Sequence, residues 1–276
     1  MDALAALLLQ IEWGADEALG SEPVDRTQPT GPQPVFAMSH FAPSRDAVAP
    51  APAPLAFAAP TRAMVASVTL ADPVRAARGA ADAATTLVEL EAAMRDFTGC
   101  ALSLTATSLV FGAGPAPTLL MIVGDAPGET EDRSGQPLDG PAGELLARML
   151  ASIGLDMAAI RRVPVLPWRP PGGRPPNEAE VAVCLPFLHR HIALAQPSRL
   201  LALGALAART LLGSEAPISR LRGRWANISV PHRAATLPVL PLLHPGQLAA
   251  RPEQKALAWR DLRLLRRSID ESLTQK

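Results

Sequence analysis

The stretch TLLMIVGDAPGETEDRSGQPLDGPAGELLARML, residues 118–150, decides the fold. Its opening is a continuous apolar run ending in glycine, as expected of a strand buried on both faces. Its end returns apolar residues at steps of three and four, a helical period. Between them lies a loop carrying Asp125, Glu129, Glu131, Asp132 and Asp139, with glycines at 124, 128, 135, 140 and 143. So many acids argue against a bare phosphate cradle. No Lys-Ser/Thr pair follows the glycines, which excludes a P-loop, and their spacing does not give the dinucleotide fingerprint.

The same alternation continues downstream. Apolar runs at 118–124, 161–168, 199–204 and 237–244 read as buried strands, and helical patterns fall at 141–154, 177–195, 205–213 and 253–272. Strands alternating with helices predict an α/β fold with a parallel sheet, helices on both faces and right-handed crossovers. Ligands of such sheets sit outside the carboxyl ends of the strands. The acidic loop, WRPPGGRPP after the second strand and HPGQL after the fourth all fall there. Three unusual loops at one edge predict a site.

Upstream the character changes. Residues 1–19 place Leu4, Leu8, Ile11 and Ala15 at helical spacing, an amphipathic helix suited to packing or to a protein partner. Residues 20–80 are rich in proline and alanine and read as a disordered linker. A helical pattern over 81–97 then opens the domain proper, 81–276. The N-terminus lacks a basic region, and Gln10 and Glu12 interrupt its apolar run, so no signal peptide or membrane span is expected and a cytoplasmic location is.

The 276 residues carry no net charge, but the halves differ. Residues 1–100 hold 6 basic and 12 acidic side chains, and residues 101–276 hold 20 and 14. The basic half fits an anionic partner or a solvated arginine surface equally well. Two cysteines, Cys100 and Cys184, imply no disulfide framework.

The motifs themselves resemble a family. GDAPGETEDRSGQPLDGPAGELL is similar to the first motif of uracil-DNA glycosylases of the family 4 type, WRPPGGRPPNEAEVAVCLPFL to their arginine–proline segment, and LLHPGQL to their second, histidine-containing motif. The resemblance runs over about residues 95–270. It implies a three-layer α/β/α sandwich with a four-stranded parallel sheet, acting as a monomer on DNA that contains uracil or a damaged base. The implied reaction is hydrolysis of the base's N-glycosidic bond, in base excision repair; the base must be flipped into a pocket or met in a single strand.

Carried over residue by residue, the resemblance assigns catalysis to Asp125, Glu131 and His244. Asp125 stands where the family has glutamate, and these acids could equally cap helices and turns. Base contacts fall to Ala126, Pro127, Gly128, Leu138 and Pro164, and DNA contacts to Gln247, Leu248 and Arg251, with Leu248 as a wedge. Outside that carry-over, Arg169 and Arg174 flank the PPGG turn near the site and read as DNA contacts, and Arg222 in RLRGRW reads equally as a DNA contact or as part of a solvated loop. His189 and His191 read as surface or packing residues. Two positions depart from the family: Leu138 replaces a stacking phenylalanine and Pro164 a base-reading asparagine, a role that only a neighbour such as Arg162 could take over. They leave a second reading open, that of an impaired, glycosylase-like DNA-binding protein. The family's four iron–sulfur cysteines fall here at Phe97, Cys100, Trp168 and Cys184, so no cluster is expected, and Phe97 and Trp168 should fill its space.

Overall fold

The computed structural model describes residues 71–274. The N-terminal helix at 1–19 and most of the linker lie outside the described residues. The fold opens with helix α1 (Ala71–Ala83), ten residues before the expected domain boundary at 81. Its sequence explains the correction: Pro73 falls in the first turn, where a missing N–H costs nothing, and alanines carry the helix onward. Ala77 and Ala81 are fully buried. Helix α2 (Leu87–Arg95) is separate, started by Thr86, whose hydroxyl accepts the Glu89 amide at 3.1 Å. The single helix expected at 81–97 is therefore two.

The sheet comprises β1 (Leu120–Gly124), β2 (Arg161–Pro164), β3 (Arg199–Leu203), β4 (Ala226–Ile228) and β5 (Leu237–Leu242), in the order β2-β1-β3-β5-β4. Four strands are parallel, as expected, but β4 is a fifth, antiparallel to β5 at the edge. The expectation of a four-stranded, wholly parallel sheet is corrected to a mixed sheet of five. β4 is three residues long and none of it is fully buried, so no apolar run betrays it. β2 stops at Pro164, short of the run expected to 168.

Side-chain alternation sorts the strands between two cores. Met121, Val123, Leu200, Ala202, Leu237 and Val239 face one. Leu120, Ile122, Leu201, Leu203, Leu240 and Leu242 face the other. Helices α1, α2, α5 (Glu178–Ala195) and α6 (Ala205–Leu212) cover the first face. Helices α4 (Pro141–Ala151), α8 (Pro245–Ala250) and α9 (Lys255–Thr274) cover the second, giving three layers. Short helices α3 (Glu129–Ser134) and α7 (Ile218–Leu221) lie in the connections. No helix among the described residues is long and apolar enough to cross a membrane.

His191, read as surface or packing, is buried. Its Nε2 accepts from Arg161 at 2.9 and 3.1 Å, and its ring lies 4.5 Å from that of Phe111. Burial and the neighbouring guanidinium hold this imidazole well below its usual pKa, so it serves as a neutral acceptor.

Candidate active site

β1 ends at the pocket. Asp125, directly after Gly124, turns its carboxylate onto the N-terminus of α6, where Oδ1 accepts the Ala207 amide at 2.8 Å. Gly204 makes this seat possible. It has φ of 109°, and a Cβ there would lie 2.2 Å from Asp125 Oδ2. Burial raises the Asp125 pKa, against the lowering pull of the Ala207 amide, of His244 and of the Leu206 amide. Its charge is thus costly and held by a helix N-terminus and an imidazole.

Glu131 is engaged differently. Oε2 accepts the Gly128 amide at 2.6 Å and Oε1 accepts the Leu138 amide at 2.5 Å. The carboxylate clasps the acidic loop and holds Leu138 at φ of 58°, a conformation that L side chains rarely adopt. Gly143 completes the arrangement, because a Cβ there would lie 1.6 Å from the Leu138 carbonyl oxygen. Asp132 Oδ1 accepts the amides of Thr107 and Ser108, at 2.9 and 3.3 Å, and ties the loop to the chain before β1.

His244 follows β5 and caps α8. Its Nδ1 accepts the Gly246 amide at 3.2 Å, which leaves the proton of the neutral ring on Nε2. His244, Asp125, Ala126, Gly128, Leu138 and Pro164 line one cavity of about 270 Å3. Glu131 and Val163 line it too, whereas Pro127 is buried in the loop beneath. The carboxyl ends of β1, β2 and β5 therefore converge on one pocket, which brings a carboxylate and an imidazole together beside the glycine loop. Arg162 is not part of it; Nη1 reaches back to the Met157 carbonyl at 3.4 Å, near the start of β2. The expected substitute reader for Pro164 is thus absent.

The expected DNA contacts divide. Leu248 is 1% exposed within the second core and is not a wedge. Arg222 is not a free phosphate contact: Nε and Nη2 bind Asp261 at 2.9 and 2.5 Å, and Nη2 also reaches the Leu257 carbonyl. Both assignments are corrected by the same cause, burial against α9. Arg174 forms a two-pronged pair with Glu180, at 2.9 and 2.6 Å, which closes the loop before α5. The Gln247 amide donates to Gln254 at 2.8 Å. Arg169 and Arg251 remain, the first with a buried Nε that has no hydrogen-bond partner and the second exposed.

Four positions of the first core bear on the iron–sulfur cluster of the family that the motifs resemble. Cys100 and Cys184 share a hydrogen bond, which lowers the Cys100 thiol to about 7 and raises that of Cys184. Phe97 packs edge-on against Phe187, with centroids 5.1 Å apart, and Trp168 is buried in the same cluster as both cysteines. Two thiols beside two aromatic rings do not fit a centre that takes four thiolates, and aromatic packing fills the space.

The sequence profile of the uracil DNA glycosylase superfamily matches residues 111–263, more than half of the chain and all of the strands that form the pocket. The chain belongs to this superfamily. Among the curated glycosylases it is similar to a Type-4 uracil-DNA glycosylase of Pyrobaculum aerophilum, 36% identical over 126 residues, which are 46% of this chain and 64% of that protein. The Type-4 enzyme of Archaeoglobus fulgidus is 35% identical over 158 residues, 56% of this chain and 78% of the relative. That of Thermotoga maritima is 34% identical over 155 residues, 55% and 77% of the two chains. The chain thus spans just under two thirds of the Pyrobaculum glycosylase and more than three quarters of the other two. The superfamily match covers the acidic loop, the Arg174 loop and His244, and leaves α1 and α2 outside it.

Proposed function

We propose that this glycosylase-superfamily protein hydrolyses the N-glycosidic bond of uracil, or of a closely related damaged base, in DNA, and does so without an iron–sulfur cluster. The observation that carries this reading is the pairing of Asp125 and His244 across one base-sized pocket. Breaking the bond between the sugar C1′ and the base sends its electron pair to the base nitrogen. His244 Nε2–H is suited to receive that charge on a base oxygen, as a preformed donor does in an oxyanion hole. Asp125 faces the opposite charge. Its carboxylate stabilises the cationic sugar and takes a proton from the water that adds to C1′.

Glu131 acts in this scheme as a positioning residue, because both of its oxygens already hold the backbone of the loop. Arg169 and Arg251 are the guanidinium groups left to meet phosphates at the rim.

Leu138 and Pro164 make the pocket a weak reader. Leucine lacks an aromatic face, and proline has neither an amide nor an N–H to pair with a base edge. Selectivity therefore rests on the shape of the pocket and on the His244 donor. Release of uracil from single- and double-stranded oligonucleotides, revealed by alkali cleavage, tests the proposal. Wild-type protein should cleave, and Leu138→Phe should speed single-turnover excision about tenfold, since stacking on one base is worth about 1–3 kcal/mol. If wild-type protein bound these oligonucleotides but left every one intact, the impaired, DNA-binding reading would replace this one.

A further inference from the structure

The largest groove among the pockets described lies away from the base pocket, on the second helical layer. Its lower part, about 850 Å3 and open, is formed by the end of α4 at Ser152 and Ile153 and by the α9 side chains Trp259, Arg263, Arg266 and Arg267. Trp259 also closes a neighbouring cleft of about 220 Å3 floored by Leu145, Met149, Leu248 and Leu262 and rimmed by Lys255. Trp259 lines both, so they adjoin at its indole as one trough, with an aliphatic part and an arginine-lined part that also carries Asp270 and Glu271.

Helix α9 shows why the trough exists. Ala258, Leu262, Leu265 and Ile269 are buried in the second core, which accounts for its apolar stripe. Trp259 lies outside that stripe and is 43% exposed. Arg263 and Arg267, one turn apart, are exposed and form no hydrogen bond or ion pair among the described residues. Arg266 is already held by Asp270 and the Ile153 carbonyl. A large exposed indole between an aliphatic cleft and two free guanidinium groups combines the side chains that dominate protein interfaces.

We propose that this trough docks an acidic, amphipathic segment of a partner protein. Apolar anchors of such a segment would enter the Leu145–Met149 cleft against Trp259, and its carboxylates would meet Lys255, Arg263 and Arg267. Charge complementarity selects this occupant. A nucleic-acid strand fits less well, because the cleft is floored by aliphatic side chains that offer its bases no hydrogen bond. Asp270, held by Arg266, and Glu271 line the lower end, so the carboxylates of the segment are confined to Lys255, Arg263 and Arg267.

Fluorescence anisotropy with the full chain tests this, using a labelled synthetic helix of about 18 residues with leucine at helical spacing and glutamate elsewhere. The acidic probe should bind, and the same helix with lysine for glutamate should not. Trp259→Ala and the double variant Arg263→Glu, Arg267→Glu should each weaken binding about tenfold or more. The second variant changes only exposed side chains, so its loss cannot be laid to unfolding. No binding, equal binding of the lysine probe, or variants that bind as wild type would overturn the proposal. Displacement of the probe by oligothymidylate would also overturn it, and would assign the trough to single-stranded nucleic acid.

Discussion

Asp125→Asn is expected to abolish most excision while leaving the fold more stable at neutral pH. The amide oxygen can still accept the Ala207 N–H, so the seat on α6 survives. What disappears is the negative charge and its capacity to take a proton, together worth about 10²–10⁴ in rate. The stability change follows from linkage. Burial raises the pKa of Asp125 above its unfolded value, so between the two values the folded state binds more protons than the unfolded one. Wild-type stability therefore declines as pH rises through that window, and the loss is complete above the folded pKa. The asparagine variant has no such loss. The gap in melting temperature should widen with rising pH and vanish in acid, where wild-type Asp125 is protonated in both states. The same pKa predicts the wild-type rate profile: because the carboxylate is the working form, excision should fall on acidification at a pH above the ordinary aspartate range of about 3.9. A variant that is both inactive and less stable at neutral pH would contradict this account.

Arg222→Ala is expected to be the most damaging single change to stability, costing about 3–5 kcal/mol. The Asp261 side chain is 2% exposed, and its charged partner among the described residues is the Arg222 fork. Burial already raises the Asp261 pKa despite that partner. Without the guanidinium, the carboxylate must take up a proton or remain buried and unpaired, and the Leu257 carbonyl loses its donor as well. Urea unfolding measures the cost. The double variant Arg222→Met, Asp261→Leu should recover most of it, because removing both charges leaves neither stranded. DNA affinity of the folded variant should match wild type, which separates this arginine from those at the rim.

The base pocket was legible in the sequence because its chemistry demands particular residues next to strand ends. Gly124-Asp125 and Leu243-His244 each close an apolar run, and the structure brings both to one cavity. The seat of Asp125 was less legible. The signal is Gly204, between a buried strand and a helical pattern, but only three-dimensional placement shows that its missing Cβ makes room for a carboxylate from another loop. Glu131 reads equally as catalyst or clasp until its two amide partners are seen.

The errors have a common physical origin. Arg222 follows α7, and Leu248 sits in the short, glycine-containing helix α8, where neighbours in sequence suggest exposure. Contacts with α9, more than a turn of chain away, bury them instead. β4 escaped notice because an edge strand paired on one side needs no continuous apolar run. The start of α1 was hidden by the proline- and alanine-rich composition it shares with the linker, although alanine is also the strongest helix former. The four cluster positions were readable because ligand chemistry is discrete: phenylalanine and tryptophan cannot stand in for thiolates.

The most direct test of the central claim is single-turnover excision of one uracil by wild-type protein and by His244→Ala, over a range of enzyme concentrations to separate binding from chemistry. Loss of the imidazole donor should slow the chemical step about 10²–10³-fold, with DNA affinity unchanged, because His244 faces the base and no phosphate contact is assigned to it. A His244→Ala protein that excises uracil at the wild-type rate would show that the chemistry does not take place in the pocket between Asp125 and His244.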